Sequence, residues 1–97
     1  MISNTGEKTL IKERIVETKE GKYLYALTSS VGVDTASFGI KLYSIKIEFF
    51  GQDGTHSVAE AKEHFADKHK ALSFFDRLVK YLATPINLPY ILEDEMP

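Results

Sequence analysis

Residues 40–50, IKLYSIKIEFF, alternate between apolar and mixed side chains. One set of alternate positions is apolar throughout: Tyr43, Ile45, Ile47 and Phe49. Because successive side chains of a strand point to opposite faces of a sheet, this period of two predicts a β-strand with one buried face. GQDGT follows, and its Asp53 and Gly54 predict a hairpin turn, since glycine adopts positive φ without steric cost. The segment therefore predicts an antiparallel sheet.

A second hairpin is predicted before this strand. Residues 9–19 (TLIKERIVETK) and residues 22–30 (KYLYALTSS) form its two strands, and the chain turns at Glu20 and Gly21. The second run alternates and has the aromatic and threonine content of a half-buried strand. The first run by itself also fits a helical i, i+4 spacing, but the extended run beside it favours a hairpin.

The remaining N-terminal segments predict irregular structure, and the length predicts one domain. Residues 1–8 are mostly polar and are expected to form a flexible tail, while residues 31–39, VGVDTASFG, are rich in turn-forming residues and predict a loop. The chain has 97 residues, of which 43% are hydrophobic, as in single globular domains. We therefore expect residues 9–97 to form a single α+β domain.

Residues 56–64 have two interpretations from sequence alone. Ser57 and Glu60 have the spacing of a capping box, and apolar residues follow at steps of three and four, which predicts one long helix. Alternatively, residues 56–64 form a fourth strand that pairs through the preceding turn, and Asp67 is the N-cap of a shorter helix. Local propensity favours the long helix, because alanine, glutamate and lysine are poor strand formers.

Three short stretches give the chain a resemblance to a known family. Their residues are Glu63, His64, Phe65 and Asp67, then Thr84, Pro85, Asn87 and Leu88, then Ile91, Leu92, Glu93 and Asp94. From Tyr23 to its end, the chain resembles a family of short uncharacterised proteins from Gram-positive anaerobic bacteria, a domain of unknown function with a closing Pro-x-x-Leu and Glu-Asp motif. The resemblance implies that residues 63–65 end a strand and that Asp67 begins a helix. It implies no activity.

We adopt four strands in an antiparallel meander, followed by one main helix and a short C-terminal helix. The main helix is expected from Asp67 to about Ala83. Its apolar stripe, expected to cover the sheet, comprises Ala71, Leu72, Phe75, Leu78, Val79 and Leu82. Phe74 and Tyr81 are expected to lie beside this stripe, where the terminal segment could cover them.

The short helix is predicted from TPINLPYILEDEMP. Pro85 is expected to stop the main helix, Asn87 to act as N-cap and Pro89 to occupy the first turn. Ile86 and Ile91 occupy the two positions of a hydrophobic staple. The residues expected to dock this helix on the domain are Leu88, Ile91 and Leu92.

The acids Glu93, Asp94 and Glu95 lie at the negative end of this helix, where each exposed charge costs about a few tenths of a kcal/mol. They are either a solvated terminus or a contact surface for a basic partner or a second copy of the chain. In the second case Leu88 and Ile91 anchor the presenting helix. These five residues are the candidate partner contacts.

Composition argues against several other functions. The absence of cysteine removes disulfides, thiolate metal sites and thiol nucleophiles. The histidines His56, His64 and His69 lack a zinc-ligand spacing, so we expect no metal and no cofactor. No serine has a nucleophile-elbow context, and we expect no enzyme activity.

Partners and location follow from the charges and the apolar runs. Twelve basic residues against 14 acidic ones give a net charge of −2, and nucleic-acid binding is therefore not expected. The apolar runs are too short to cross a membrane, and without a signal segment the expected location is the cytoplasm.

The leading hypothesis is therefore a protein-interaction or regulatory module without catalysis, whose unknown partner is another protein or a second copy. Leu24, Leu42 and Phe50, on the outer side of the predicted sheet, favour this hypothesis because they are apolar. The alternative is a small-molecule-binding domain with a pocket between sheet and helices. Its expected lining is Tyr23, Tyr25, His64 and Asp67.

Overall fold

A computed structural model describes residues 8–32 and 39–95, with Asp94 and Glu95 described by their backbone alone. Four strands form one antiparallel sheet in the order β1-β2-β3-β4, and two helices follow. The elements are β1 (Thr9–Glu17), β2 (Gly21–Val31), β3 (Lys41–Gly51), β4 (His56–Phe65), α1 (Lys68–Lys80) and α2 (Leu88–Glu95). The predicted α+β meander is confirmed. Residues 1–7 of the predicted tail and residues 33–38 of the predicted loop lie outside the described residues.

The alternating positions of β3 build the centre of the core. Tyr43, Ile45 and Ile47 are buried beneath the helices, as the period of two predicts. On β2, Tyr25 pairs with Ile47 and Leu27 pairs with Ile45, so these apolar side chains meet on one face of the sheet. Burial of each large apolar side chain contributes about 1.5–3 kcal/mol.

Residues 56–65 are a strand, as the family resemblance implied, and the long helix favoured by local propensity is not formed. Ala59 pairs with Ile47 and Ala61 pairs with Ile45, so both alanines join the core face. Pairing with β3 and burial against the core outweigh the weak strand propensity of alanine. The β3–β4 turn contains Gly54 at φ 91°, as predicted. In that turn the hydroxyl and amide of Thr55 donate to the Asp53 carboxylate and lower its pKa.

Helix α1 begins at the predicted N-cap, and its buried stripe contains one aromatic residue more than predicted. The Asp67 carboxylate accepts hydrogen bonds from the amides of His69 and Lys70, at 2.8 and 3.4 Å. Phe74, expected beside the apolar stripe, is buried within it, and its ring lies 5.2 Å from the Phe65 ring of β4. Tyr81 is exposed instead. Phe75 is buried as well, so two neighbouring aromatic rings lie at the centre of the buried stripe.

Helix α1 ends at Lys80 rather than near Ala83, and Pro85 does not end it. Leu82 has φ 52°, its amide donates to Val79, and the Ala83 amide donates to Leu78. These two hydrogen bonds form a Schellman motif, which usually requires glycine at the left-handed position. The Leu82 side chain packs against the core, and this contact offsets the cost of its backbone conformation.

Helix α2 docks as predicted. Leu88 is fully buried, and Ile91 and Leu92 pack against the core. The Asn87 carbonyl accepts hydrogen bonds from the first turn of the helix. Ile86 is 75% exposed, so the predicted staple between Ile86 and Ile91 is wrong. The turn that begins at Thr84 directs the Ile86 side chain into solvent.

Candidate interaction surface

The helices cover one face of the sheet, and no element in the described part of the chain covers the other, which we call the open face. Strand pairing arranges its side chains in three rows perpendicular to the strands. The rows are Glu17, Lys22, Phe50 and His56; then Ile15, Leu24, Glu48 and Val58; then Glu13, Ala26, Lys46 and Glu60. Each row runs from β1 to β4, so its outer members lie on the two edge strands.

Among the described residues, four exposed large apolar side chains lie on this face. Ile15 is 56% exposed and Val58 is 53% exposed, and these two residues end the middle row. Leu10 lies on the same face of β1 and is 55% exposed. Leu24 and Leu42 are half-buried, and Phe50 is 39% exposed. Single exposed apolar residues are ordinary, but several on one uncovered sheet face form a candidate contact surface.

Charges on the open face are largely paired within it. His56 Nε2 lies 2.8 Å from a carboxylate oxygen of Glu48, and Lys46 Nζ lies 3.9 Å from the other oxygen. Lys8 Nζ reaches across the sheet to Glu60 at 2.7 Å. Because these charges already have partners, covering the face leaves few of them unpaired.

Aromatic contacts fix the row at the β3–β4 turn. The rings of Phe50 and His56 stack with their centres 4.8 Å apart. Lys22 Nζ lies 5.8 Å from the centre of the Phe50 ring, within the range of a cation–π interaction. This row is therefore an ordered cluster of one acid, one lysine and two rings.

A bulge in β4 closes the opposite end of the open face. The pairing of β3 with β4 shifts between Tyr43 and Ile45, and within the shift Glu63 has φ 50°. The Glu63 amide donates to the Ser44 hydroxyl at 2.7 Å, and the Ser30 hydroxyl lies 3.5 Å from the Glu63 carboxylate. Both serine side chains are buried, although their positions in the alternation of β2 and β3 belong to the open face. The three rows nearer the β3–β4 turn are therefore the accessible part of β2 to β4, while Leu10 on β1 stays exposed beyond them.

A second concave feature lies between the two helices. It is a cavity of about 270 Å³ with a mainly apolar lining. The lining residues are Phe74, Arg77, Leu78, Tyr81, Ala83 and Ile91. The Arg77 guanidinium lies 5.6 Å from the centre of the Phe74 ring. The volume falls just below the common range for small-molecule sites, about 300–1,000 Å³.

The predicted partner contacts on α2 divide between its inner and outer sides. Leu88 is buried and Ile91 lines the interhelical cavity, so both anchor the helix, as the contact hypothesis requires. Glu93 is exposed. The side chains of Asp94 and Glu95 lie outside the described residues. Contact between these acids and a partner remains a prediction.

The four residues of the predicted small-molecule pocket do not come together. Tyr25 is buried, and its hydroxyl donates to the Ala83 carbonyl at 2.8 Å. Burial, with a smaller contribution from the neighbouring Tyr23, raises the pKa of Tyr25 to about 12. Asp67 caps α1, and His64 is exposed at the end of β4, with its ring against Phe65. The predicted pocket is therefore wrong in its lining.

The described residues, 8–32 and 39–95, contain no group of three or more acidic or histidine side chains placed to hold a metal ion. Over the same ranges, neither helix is both long and apolar enough to cross a membrane.

Fold and surface together define an α+β domain in which helices cover one face of a four-stranded antiparallel meander. The chain belongs to a family of unknown function (DUF6514), whose family model matches residues 7–97. No curated protein and no solved structure matches the chain. The bacterial source and closing motif implied by the resemblance stay predictions.

The sequence predicted the apolar residues that the two central strands contribute to this surface, but not those of the two edge strands. Leu24, Leu42 and Phe50 were expected on the outer side of the sheet, and they lie there. Ile15 and Val58 were not expected in one row, because that placement depends on the registers of three strand pairs. The alternation of apolar and polar residues in β1 and β4, counted outward from the two turns, would have placed both residues on the open face.

Proposed function

We propose that the protein is a protein-interaction module without catalysis and that its contact surface is the open face of the sheet. The observation that carries the proposal is the exposure of Ile15, Val58 and Leu10 on a sheet face that no described element covers. Apolar side chains grouped on one surface and surrounded by polar ones are typical of protein contact sites. A cytoplasmic location remains an expectation from the sequence.

The size of the open face supports this proposal. Three rows about 7 Å apart, across four strands about 4.8 Å apart, present roughly 400 Å². A standard interface buries about 800 Å² on each partner, and weaker complexes bury less. The open face is therefore large enough for a weak protein complex.

The composition of the face supports a contact site over a solvated surface. The middle row holds Ile15, Leu24 and Val58 together with Glu48, while the rows on either side are mainly polar. An apolar centre with a polar rim is the usual arrangement of a protein interface.

Site-specific photo-cross-linking of the full chain in the cells that express it tests the proposal. A photoreactive residue at Ile15 is expected to give a discrete cross-linked species. The matched control is the same residue at Ile86, which is exposed on the helical side of the domain. No adduct at Ile15, or equal adducts at both positions, would contradict the proposal.

A second candidate, small-molecule binding, is favoured by the cavity between α1 and α2. Its lining suits a small apolar or aromatic molecule, with Arg77 at the rim. A screen of small aromatic compounds by nuclear magnetic resonance tests it. Saturable shifts confined to the amides of Tyr81, Ala83 and Ile91 would support it, and their absence across the screen would oppose it.

A further inference from the structure

We infer that the partner on the open face is a second copy of this chain, related by a two-fold axis parallel to the strands. The inference rests on the proposed function, because it names the occupant of the same surface. Rotation about such an axis places β1 of one copy over β4 of its partner and places β2 over the partner's β3. Each row then lies over the same row of the partner in reverse order.

The ends of the middle row are complementary under this rotation, and between them Leu24 lies over the partner's Glu48, a carboxylate that is paired with His56 and Lys46 of its own chain. Ile15 of one copy meets Val58 of the other, and the symmetry repeats this contact at the other edge of the sheet. Both side chains are more than half exposed in the single chain. One apolar contact of this kind therefore lies at each of the two sides of the interface.

The row nearest the β3–β4 turn places polar and aromatic side chains opposite one another. Glu17 meets the partner's His56, and Lys22 meets the partner's Phe50. The first contact adds a carboxylate beside an imidazole, and the second places a lysine near an aromatic ring. In the third row Glu13 meets the partner's Glu60, but Lys8 already binds Glu60 at 2.7 Å and offsets the repulsion.

Sheet twist keeps the strand-over-strand arrangement but shifts its rows. Aligned sheets cross at about 30°, which displaces the outer strands by about 4 Å along their length. Rows are about 7 Å apart, because they are separated by two residues of an extended strand. Each outer residue is therefore shifted by slightly more than half the row spacing, so β1 still lies over the partner's β4, with Ile15 between Val58 and the adjacent row.

Charge balance selects a second copy over a strongly charged partner. The three rows and Lys8 contain three lysines against four glutamates, so the face attracts neither a polyanion nor a polycation. A different two-fold axis, parallel to the plane of the sheet but perpendicular to the strands and centred on the face, would stack β1 on β1. It would bring the acids of β1, Glu13 and Glu17, near those of the partner. The axis parallel to the strands brings Glu17 to His56 instead.

Disulfide trapping tests the inference directly, because the chain has no cysteine of its own. Purified full-length Ile15→Cys and Val58→Cys are oxidised separately and as an equal mixture. The mixture is expected to give a mixed disulfide dimer at least tenfold more abundant than the dimers formed by either variant alone. Ile86→Cys, oxidised in the same way, sets the level of random collision. Circular dichroism and thermal unfolding first establish that each variant is folded.

Two outcomes would overturn the inference. Dimers of Ile15→Cys alone that exceed those of the mixture would show that the two β1 strands face each other. Dimer levels no higher than that of Ile86→Cys would show that no second copy binds. In that second case, a cross-linked species from Ile15 whose mass differs from twice the chain leaves the proposed function standing. No cross-linked species at all contradicts both.

Discussion

The two faces of the sheet are built from alternate residues of the same four strands, and they differ in how they handle polar groups. On the covered face Tyr25, Leu27, Ile45 and Ile47 are fully buried under α1, and the Tyr25 hydroxyl donates to a backbone carbonyl. On the open face apolar side chains alternate with charges that pair with one another. The covered face therefore sets the stability of the fold, while the open face leaves apolar side chains available for contact.

Loss of packing between α1 and the covered face should have the largest effect on the free energy of unfolding. Phe75→Ala is expected to lower the free energy of unfolding by about 3–5 kcal/mol, because the buried ring leaves a cavity against the sheet. Urea denaturation of dilute protein measures this change. A change typical of a surface residue would show that α1 does not hold the covered face.

The sharpest test of the difference between the faces compares the same substitution on each. Ile45→Ala should cost about 2–5 kcal/mol because Ile45 is fully buried. Ile15→Ala should cost under about 1 kcal/mol in dilute protein, since its side chain is largely exposed. Both values come from urea denaturation at a concentration where the protein is monomeric. Similar losses from both variants would mean that the open face is covered within the single chain.

Alkaline pH should weaken the covered face through Tyr25. Because burial raises its pKa from 10.0 to about 12, folding favours the neutral hydroxyl. Its contribution, about 2–3 kcal/mol, is fully present below pH 10 and is lost as the pH rises through about 12.

The control for this pH effect is a pair of tyrosine variants. Tyr25→Phe should cost about 0.5–1.5 kcal/mol at pH 7 for the lost hydrogen bond, and it should show a weaker fall in stability between pH 10 and 12. Tyr90→Phe alters an exposed residue and should keep the wild-type profile. Parallel profiles of Tyr25→Phe and wild type would show that ionisation of Tyr25 does not cause the loss of stability at alkaline pH.

The smallest effect is expected at the acidic end of α2, remote from the packing that sets stability. Replacement of Glu93, Asp94 and Glu95 by lysine should raise the free energy of unfolding by about a few tenths of a kcal/mol per charge, since positive charges suit this end of a helix. Thermal unfolding at low and high salt measures it. A loss of stability would indicate that the acids have partners within the fold.

The sequence predicted most of the covered face because that face depends on local patterns. The alternation of β3, the glycine turns and the Asp67 cap are each encoded within a few residues. Strand β4 could not be decided locally, because Ala59 and Ala61 gain their place only by pairing with β3. The burial of Phe74 was missed because it depends on the angle at which α1 crosses the sheet.

Two other features also escaped prediction, each for a physical reason. The end of α1 lies at a leucine in a left-handed conformation, whereas sequence rules expect glycine there or proline shortly after. The rows of the open face depend on three strand registers, so Ile15 and Val58 appear as neighbours in one row only in the folded sheet.

Sedimentation velocity over a range of concentrations tests the central claim that the open face mediates self-association. Wild type, Ile15→Lys and Ile86→Lys are compared, and the two substitutions place the same charge at exposed isoleucines on opposite sides of the domain. We predict that wild type and Ile86→Lys associate alike, while Ile15→Lys binds itself at least tenfold more weakly. A wild-type protein that stays monomeric at every concentration, or an Ile15→Lys variant that associates like wild type, would contradict the account.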